Sequence, residues 1–203
     1  MAKLDLKKVH KNLFSPKRGV FAIVDVPALQ YLMIDGKGDP NTSQEFMQAV
    51  TALYGMAYTT KFMLSRRDKS MDYGVCPLEG LWWADDMTAF CEQSKDDWKW
   101  TMMILQPDFI TPAILSEAME IYKKRKDLTE NPPVRLETLK EGKSVQTLYI
   151  GAYKDEAPVI AKMHEFIKQN GLSPVGKHHE IYLGDPKKTA PEKLKTILRQ
   201  PVK

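Results

Sequence analysis

Pro77-Leu-Glu-Gly-Leu-Trp-Trp83 places one acid among two leucines, a glycine and two adjacent indoles. A run this short and apolar, stopped by Pro77 on one side and by Ala84-Asp85-Asp86 on the other, reads as a buried strand. Burying an unpaired carboxylate is unfavourable by several kcal/mol, so Glu79 either points to water or faces a site that uses its charge. About a hundred residues later, His178-His-Glu-Ile-Tyr-Leu183 repeats the design, with Glu180 ahead of Ile181, Tyr182 and Leu183. Two acid-bearing aromatic strands in one chain predict two walls of one pocket.

The 203 residues suit one domain, or two small halves sharing a core. A net charge of +4 is too mild to demand a nucleic-acid partner, and none is expected. The two cysteines, Cys76 and Cys91, form no metal-ligand or redox pair, which predicts a reduced, cytoplasmic setting. No apolar run approaches a membrane span and residues 1–10 lack the apolar core of a secretory signal, so a soluble protein is expected.

Outward from the opening stretch, residues 1–19 read as an N-terminal arm broken at Ser15-Pro16, ahead of a single domain over 20–203. Its first half covers about 20–130 and its second about 134–203, with Asn131-Pro132-Pro133 as the seam. Strands are predicted at 20–26 and 30–34, then a helix over 42–58 with a Thr42/Glu45 capping box. The glycines of Asp35-Gly36-Lys37-Gly38 match neither phosphate-loop pattern and predict a tight turn instead. A polar hairpin loop at 92–97 precedes a strand at 98–106. Thr111-Pro112 opens a helix to about 126, whose basic last turn suits the helix dipole. Strands at 134–140 and 146–153, a helix from Ala157-Pro158 to the Asn170-Gly171 stop, the strand at 178–183 and a last helix capped by Thr189 complete the chain.

Both halves thus read strand, strand ending in glycine, helix, and a strand with a central acid. The fold class expected is α+β: duplicated βαββ units forming an antiparallel sheet, helices on one face, and a ligand groove at the pseudo-twofold seam. Strand alternation puts Tyr149, Gly151 and Tyr153 on one face, and Glu180 with Tyr182 on another common face. With the aliphatic faces under the helices, the groove receives Tyr149, Tyr153, Glu180 and Tyr182, and Gly151 leaves it room. In the first half Glu79, Leu81 and Trp83 share a face, with Trp82 opposite unless a bulge intervenes.

At Tyr31-Leu-Met-Ile-Asp-Gly-Lys-Gly-Asp-Pro40 and the two acid-bearing strands, the chain resembles the GyrI-like small-molecule-binding family, which includes the effector-binding domain of BmrR-type regulators. The resemblance implies two βαββ repeats around a cavity for lipophilic, often cationic or aromatic compounds. It implies a charge-recognising glutamate at Glu180, with Glu79 as its pseudo-symmetric counterpart. Some stand-alone members hydrolyse the strained cyclopropane of DNA-alkylating natural products. The sequence departs from those regulators in showing no helix-turn-helix pattern, so direct transcriptional control is not expected.

Two function classes follow. One is a binder, with Glu79, Trp82, Trp83, Trp100, Tyr149, Tyr153, Glu180 and Tyr182 as ligand contacts and stacking and cation–π attraction supplying tolerance. The other is a metal-independent hydrolase in which Glu79 or Glu180 activates water and Tyr149 stabilises developing charge. His178 and His179 point to opposite faces of a strand and do not suit one metal, no Gly-x-Ser-x-Gly elbow occurs, and neither metal nor cofactor is expected. The sequence does not specify an oligomeric state.

Overall fold

The computed structural model describes residues 3–84 and 97–203. Two short helical segments, α1 (Leu6–Val9) and α2 (Lys11–Phe14), form the arm. The long strand β1 (Ala22–Lys37) leads into α3 (Gln44–Arg67), followed by β2 (Leu78–Trp83), β3 (Lys99–Gln106) and α4 (Pro112–Lys126). The second half runs β4 (Arg135–Ile150), α5 (Ala157–Gln169), β5 (His178–Tyr182) and β6 (Lys195–Pro201). The six strands close in the order β1-β3-β2-β5-β6-β4, each neighbouring pair antiparallel.

β1-α3-β2-β3 and β4-α5-β5-β6 are the two βαββ units, with α4 between them. Like pairs with like at both seams, β2 with β5 and β1 with β4, as a twofold relation requires. The registers align Ile34, Met102, Gly80, Glu180, Leu198 and Thr147 in one row across all six strands. Side chains directly opposite one another share a face, so this row marks the outer face. α3 and α5 both cover it. Phe46 of α3 packs edge-on against Trp100 at 5.3 Å, and Met163 and Ile167 of α5 join Val145 and Leu198 in a second core. The adjacent row, Asp35, Thr101, Leu81, His179, Arg199 and Gln146, marks the inner face of the closed sheet.

Several expected boundaries are corrected. The strands expected at 20–26 and 30–34 are one, because β1 passes through Pro27 where the β1–β4 ladder skips from Val26–Gly142 to Ala28–Lys140. Proline has no N–H to donate and is tolerated at such a break. On the other side of that break β4 is likewise continuous, and it stops at Ile150, leaving Tyr153 in a 3₁₀ turn. Ser43 rather than Thr42 caps α3, its Oγ accepting from Phe46 N at 3.2 Å, and the helix runs on to Arg67. The final helix expected from Thr189 is instead a 3₁₀ turn at Pro191–Lys193 followed by β6. That segment finds strand partners on both sides, β4 and β5, and closing the sheet outweighs a local capping preference. The expected loop at 92–97 lies outside the described residues except for Asp97.

Candidate functional site

The β2–β5 seam on the outer face gathers the candidate groups. Trp82 and Tyr182 approach from neighbouring strands, and the indole Nε1 donates to the Tyr182 hydroxyl at 2.9 Å. That hydroxyl in turn donates to Glu180 Oε2 at 2.9 Å. The Tyr153 ring stands edge-on to Tyr182 at 5.5 Å, and Phe46 of α3 lies 6.1 Å from Trp82. Glu156, at the N-cap of α5, is buried beside Thr196, and its Oε1 has no hydrogen-bond partner among the described residues. Burial first, and the Glu180 charge second, push the Glu156 carboxyl up to about 9. The Glu156–Glu180 pair therefore holds a proton at neutral pH, and that proton belongs to the pair rather than to one residue. Burial and then Glu180 likewise raise the Tyr182 phenol well above its ordinary value, so it remains a donor. His178 Nε2 lies 3.6 Å from Glu180 Oε1, too far for a hydrogen bond. Burial, then the charges of His164 and His179, hold His178 down to about 3, so it is neutral.

This arrangement is a pair of carboxyls sharing one proton, one of them held by a phenol inside an aromatic wall. Residues 20–203 match the GyrI-like small molecule binding domain. The chain belongs to the GyrI-like small-molecule-binding family. A crystal structure of a conserved protein from Listeria innocua is 41% identical, with a TM-score of 0.90 over 99% of this chain and 100% of that one. A hydrolase from the same organism is 40% identical, with a TM-score of 0.86 over 99% and 100% of the two chains. The EcmrR C-terminal domain shares the fold at 9% identity, with a TM-score of 0.55 over 91% of this chain and 97% of that one. No curated protein matches the chain.

In this GyrI-like domain the structure gathers four of the residues singled out from sequence, Glu180, Tyr182, Trp82 and Tyr153. The others stand elsewhere. Trp100 faces the same side as Trp82 but is wholly buried over Gly36, where a Cβ would sit 2.1 Å from its ring. Trp83 points the other way, with the Lys177 ammonium 3.3 Å over its ring. It lines a cleft of about 420 Å³ with Asp35, Lys37, Glu45 and Lys99, which shares no residue with the Glu180 cluster. The Tyr149 hydroxyl turns back to donate to Ala152 O at 2.9 Å. It occupies the space beside Gly151 that was expected to serve a ligand, since a Cβ there would lie 2.3 Å from the hydroxyl.

Glu79 is the principal correction. It pairs with Ile181 across the seam, whereas Gly80 pairs with Glu180, so Glu79 and Glu180 face opposite sides of the sheet. Glu79 does not join Glu180 in a groove. It is fully buried on the inner face, where its Oε2 meets His179 Nε2 at 3.0 Å. The other ring nitrogen of His179 meets Glu141 at 3.0 Å, and Arg199 Nη1 donates to Glu141 Oε2 at 3.0 Å. Burial works to raise Glu141, but the charge and hydrogen bonds of His179 and Arg199 outweigh it and hold the carboxyl down to about 2. Burial alone would lower His179; Glu141 above all, with Glu79, overcomes it and raises the imidazole. Arg199 also donates to Gln146 Oε1 and to the carbonyl of Leu13, and Gln146 Nε2 donates to the carbonyl of Asn12. The chain Glu79–His179–Glu141–Arg199 thus ties the interior to the N-terminal arm.

Glu156 had no signature in the sequence, where an acid ahead of Ala157-Pro158 reads as an ordinary helix start. Only the return of β5 past α5 places it by Glu180. Among the described residues, no group of three or more His, Cys, Asp or Glu is placed to hold a metal ion. No described helix is long and apolar enough to cross a membrane.

Proposed function

We propose that this GyrI-like domain binds lipophilic aromatic cations at the β2–β5 seam, with Glu180 as the charge-recognising group. The observation that carries the reading is the Glu180 carboxylate, oriented by the Tyr182 hydroxyl at 2.9 Å and walled by Trp82 and Tyr153. Aromatic faces attract a cation by about 0.5–2 kcal/mol each, more as water is excluded, and tolerate many shapes. Glu180 then biases selection toward positive charge. The test is a fluorescence titration with N-methyl-4-phenylpyridinium against neutral 4-phenylpyridine at pH 8. Glu180→Gln should weaken the cation by about 1–3 kcal/mol and leave the neutral compound little changed. Equal losses for both would make Glu180 a structural residue.

A second reading is hydrolysis, favoured by the 40% identical Listeria hydrolase and by the paired carboxyls. The substrate class is the cyclopropane of DNA-alkylating natural products. Glu180 would deprotonate a water whose oxygen bonds to the ring carbon as the strained ring C–C bond breaks. The electron pair would run to the conjugated carbonyl oxygen, which takes its proton from Glu156. Acid–base help of this kind is worth about 10²–10⁴-fold. Incubation with such an alkylator, followed by mass spectrometry, should show a product heavier by one water. Absence of that product across several alkylators would leave the binding reading alone.

A further inference from the structure

The feature that the binding of a single positive charge does not use is the second carboxyl. Glu156 is 4% exposed and reaches the site from α5, whereas Glu180 comes from β5. One of its oxygens is buried without a hydrogen-bond partner among the described residues. A buried acceptor left in that state costs its full desolvation unless a proton, a water or a ligand completes it. Thr196, beside Glu156, pairs with Tyr182 across β5 and β6, and Tyr153, three residues before Glu156, stands edge-on to Tyr182, so the carboxyl lies beside the aromatic wall that holds Glu180.

We propose that Glu156 and Glu180 form a two-carboxyl floor that takes dicationic aromatic ligands. The proposal rests on the cation-binding reading and deepens it. A monocation is neutralised by Glu180 alone, so Glu156 keeps its proton. A second positive charge nearby lowers the cost of ionising Glu156, the proton leaves to solvent, and two charges face two charges.

The groups around the pair support this balance. From β5 come Tyr182, raised by burial and Glu180, and His178, which burial keeps neutral. From β4 comes Tyr149, and from the 3₁₀ turn come Tyr153 and Asp155. Asp185 beyond β5 and Tyr54 of α3 complete the surroundings of Tyr153. Apart from the neutral His178, none of these side chains is a base. Burial first, then Glu180, raise Glu156, and none of the charges that shift it is a cation. Because the folded value of Glu156 lies above the working pH and falls on binding, dication affinity rises with pH up to about 9.

The probes are methyl viologen, a planar dication, and N-methyl-4-phenylpyridinium, a monocation of nearly the same size. Neither titrates, so any proton released comes from the protein. Calorimetry at pH 7.5 in Tris and in phosphate, whose ionisation enthalpies differ, counts released protons. Methyl viologen should release about one proton per site, and its affinity should rise by about tenfold per pH unit between pH 6 and 8. The monocation should release close to none. Glu156→Gln should abolish the release and flatten the pH profile, with circular dichroism confirming the fold. Wild-type binding of methyl viologen without proton release overturns the two-carboxyl proposal while the cation-binding reading stands. If neither cation binds, both readings fall. The wild-type measurement decides the matter even if Glu156→Gln does not fold.

Discussion

Replacing Glu141 by Gln removes one charge from the middle of the interior chain and keeps its shape. In the native protein Glu141 meets His179 at 3.0 Å and Arg199 at 3.0 Å, with its side chain 3% exposed. Its carboxyl falls from the ordinary 4.5 to about 2 on folding. That difference corresponds to roughly 3 kcal/mol at neutral pH, and breaking a buried ion pair by removing one partner costs about 3–5 kcal/mol. The two figures describe the same interaction and are not added. A lowered folded value means that the contribution is fully present above pH 4.5 and is lost as pH falls through about 2. His179 shows the same contact from its other end: its value is raised, so its contribution is present below 6.5 and is lost as pH rises through the folded value.

Urea unfolding of wild type and Glu141→Gln at pH 7, 5, 4 and 3 measures this directly. The variant should be about 3 kcal/mol less stable at pH 7, and the gap should narrow steadily below pH 4.5 as the wild-type carboxyl takes up its proton. In parallel, the His179 imidazole should titrate at lower pH in the variant, because burial would then oppose its charge with only Glu79 left beside it. A stability gap that stays constant from pH 7 to pH 3 would refute the ion-pair account. So would a variant as stable as wild type at pH 7, which would mean that the charges only offset their own desolvation.

Gly36→Ala should destabilise the domain by about 1–3 kcal/mol, read as a lower melting temperature, because the new Cβ would fall 2.1 Å from the Trp100 ring. An unchanged melting temperature would show that Trp100 has room to move. Leu13→Ala, in the arm, should cost about 2–4 kcal/mol, since Leu13 is 1% exposed and its carbonyl accepts from Arg199. A loss below about 0.5 kcal/mol, the scale of a surface substitution, would show that the arm only rests on the domain.

What the sequence made legible follows from how local each signal is. The α4 and α5 boundaries appeared because Thr111-Pro112 and Ala157-Pro158 are short-range devices, and both helices begin there in the structure. The duplication appeared because each unit repeats the same element order. β6 did not, because Thr196, Ile197, Leu198, Arg199 and Gln200 are buried on both faces and show no apolar–polar alternation. An arginine 1% exposed inside a closed sheet cannot be told from a surface arginine until Glu141 and Gln146 arrive from elsewhere in the chain. The failure at Glu79 has the same origin. Alternation within β2 was right, with Glu79, Leu81 and Trp83 on one face. Which of its faces joins that of Glu180 depends on register across the seam, and register is a property of the pair of strands.

That register also explains how a duplicated fold yields an asymmetric site. At the seam the residue directly opposite Glu180 is Gly80, not a second acid. A Cβ at Gly80 would stand 2.8 Å from Trp82 Nε1 and 3.2 Å from the Met102 sulfur. The missing side chain is what lets the indole lie across the seam and reach the Tyr182 hydroxyl. One half therefore contributes a flat aromatic wall and space, and the other contributes the charge and the phenol that orients it. Two acids face to face at that position would repel each other. The second acid instead enters from the N-terminus of α5, where its proton can be kept or given up. The inner face disposes of its charges differently. Glu79, His179, Glu141 and Arg199 contact one another in turn, so acidic and basic groups alternate along the interior. The same strands thus separate two kinds of buried polarity: one neutralised within the protein, the other facing the seam where a ligand of opposite charge would complete it.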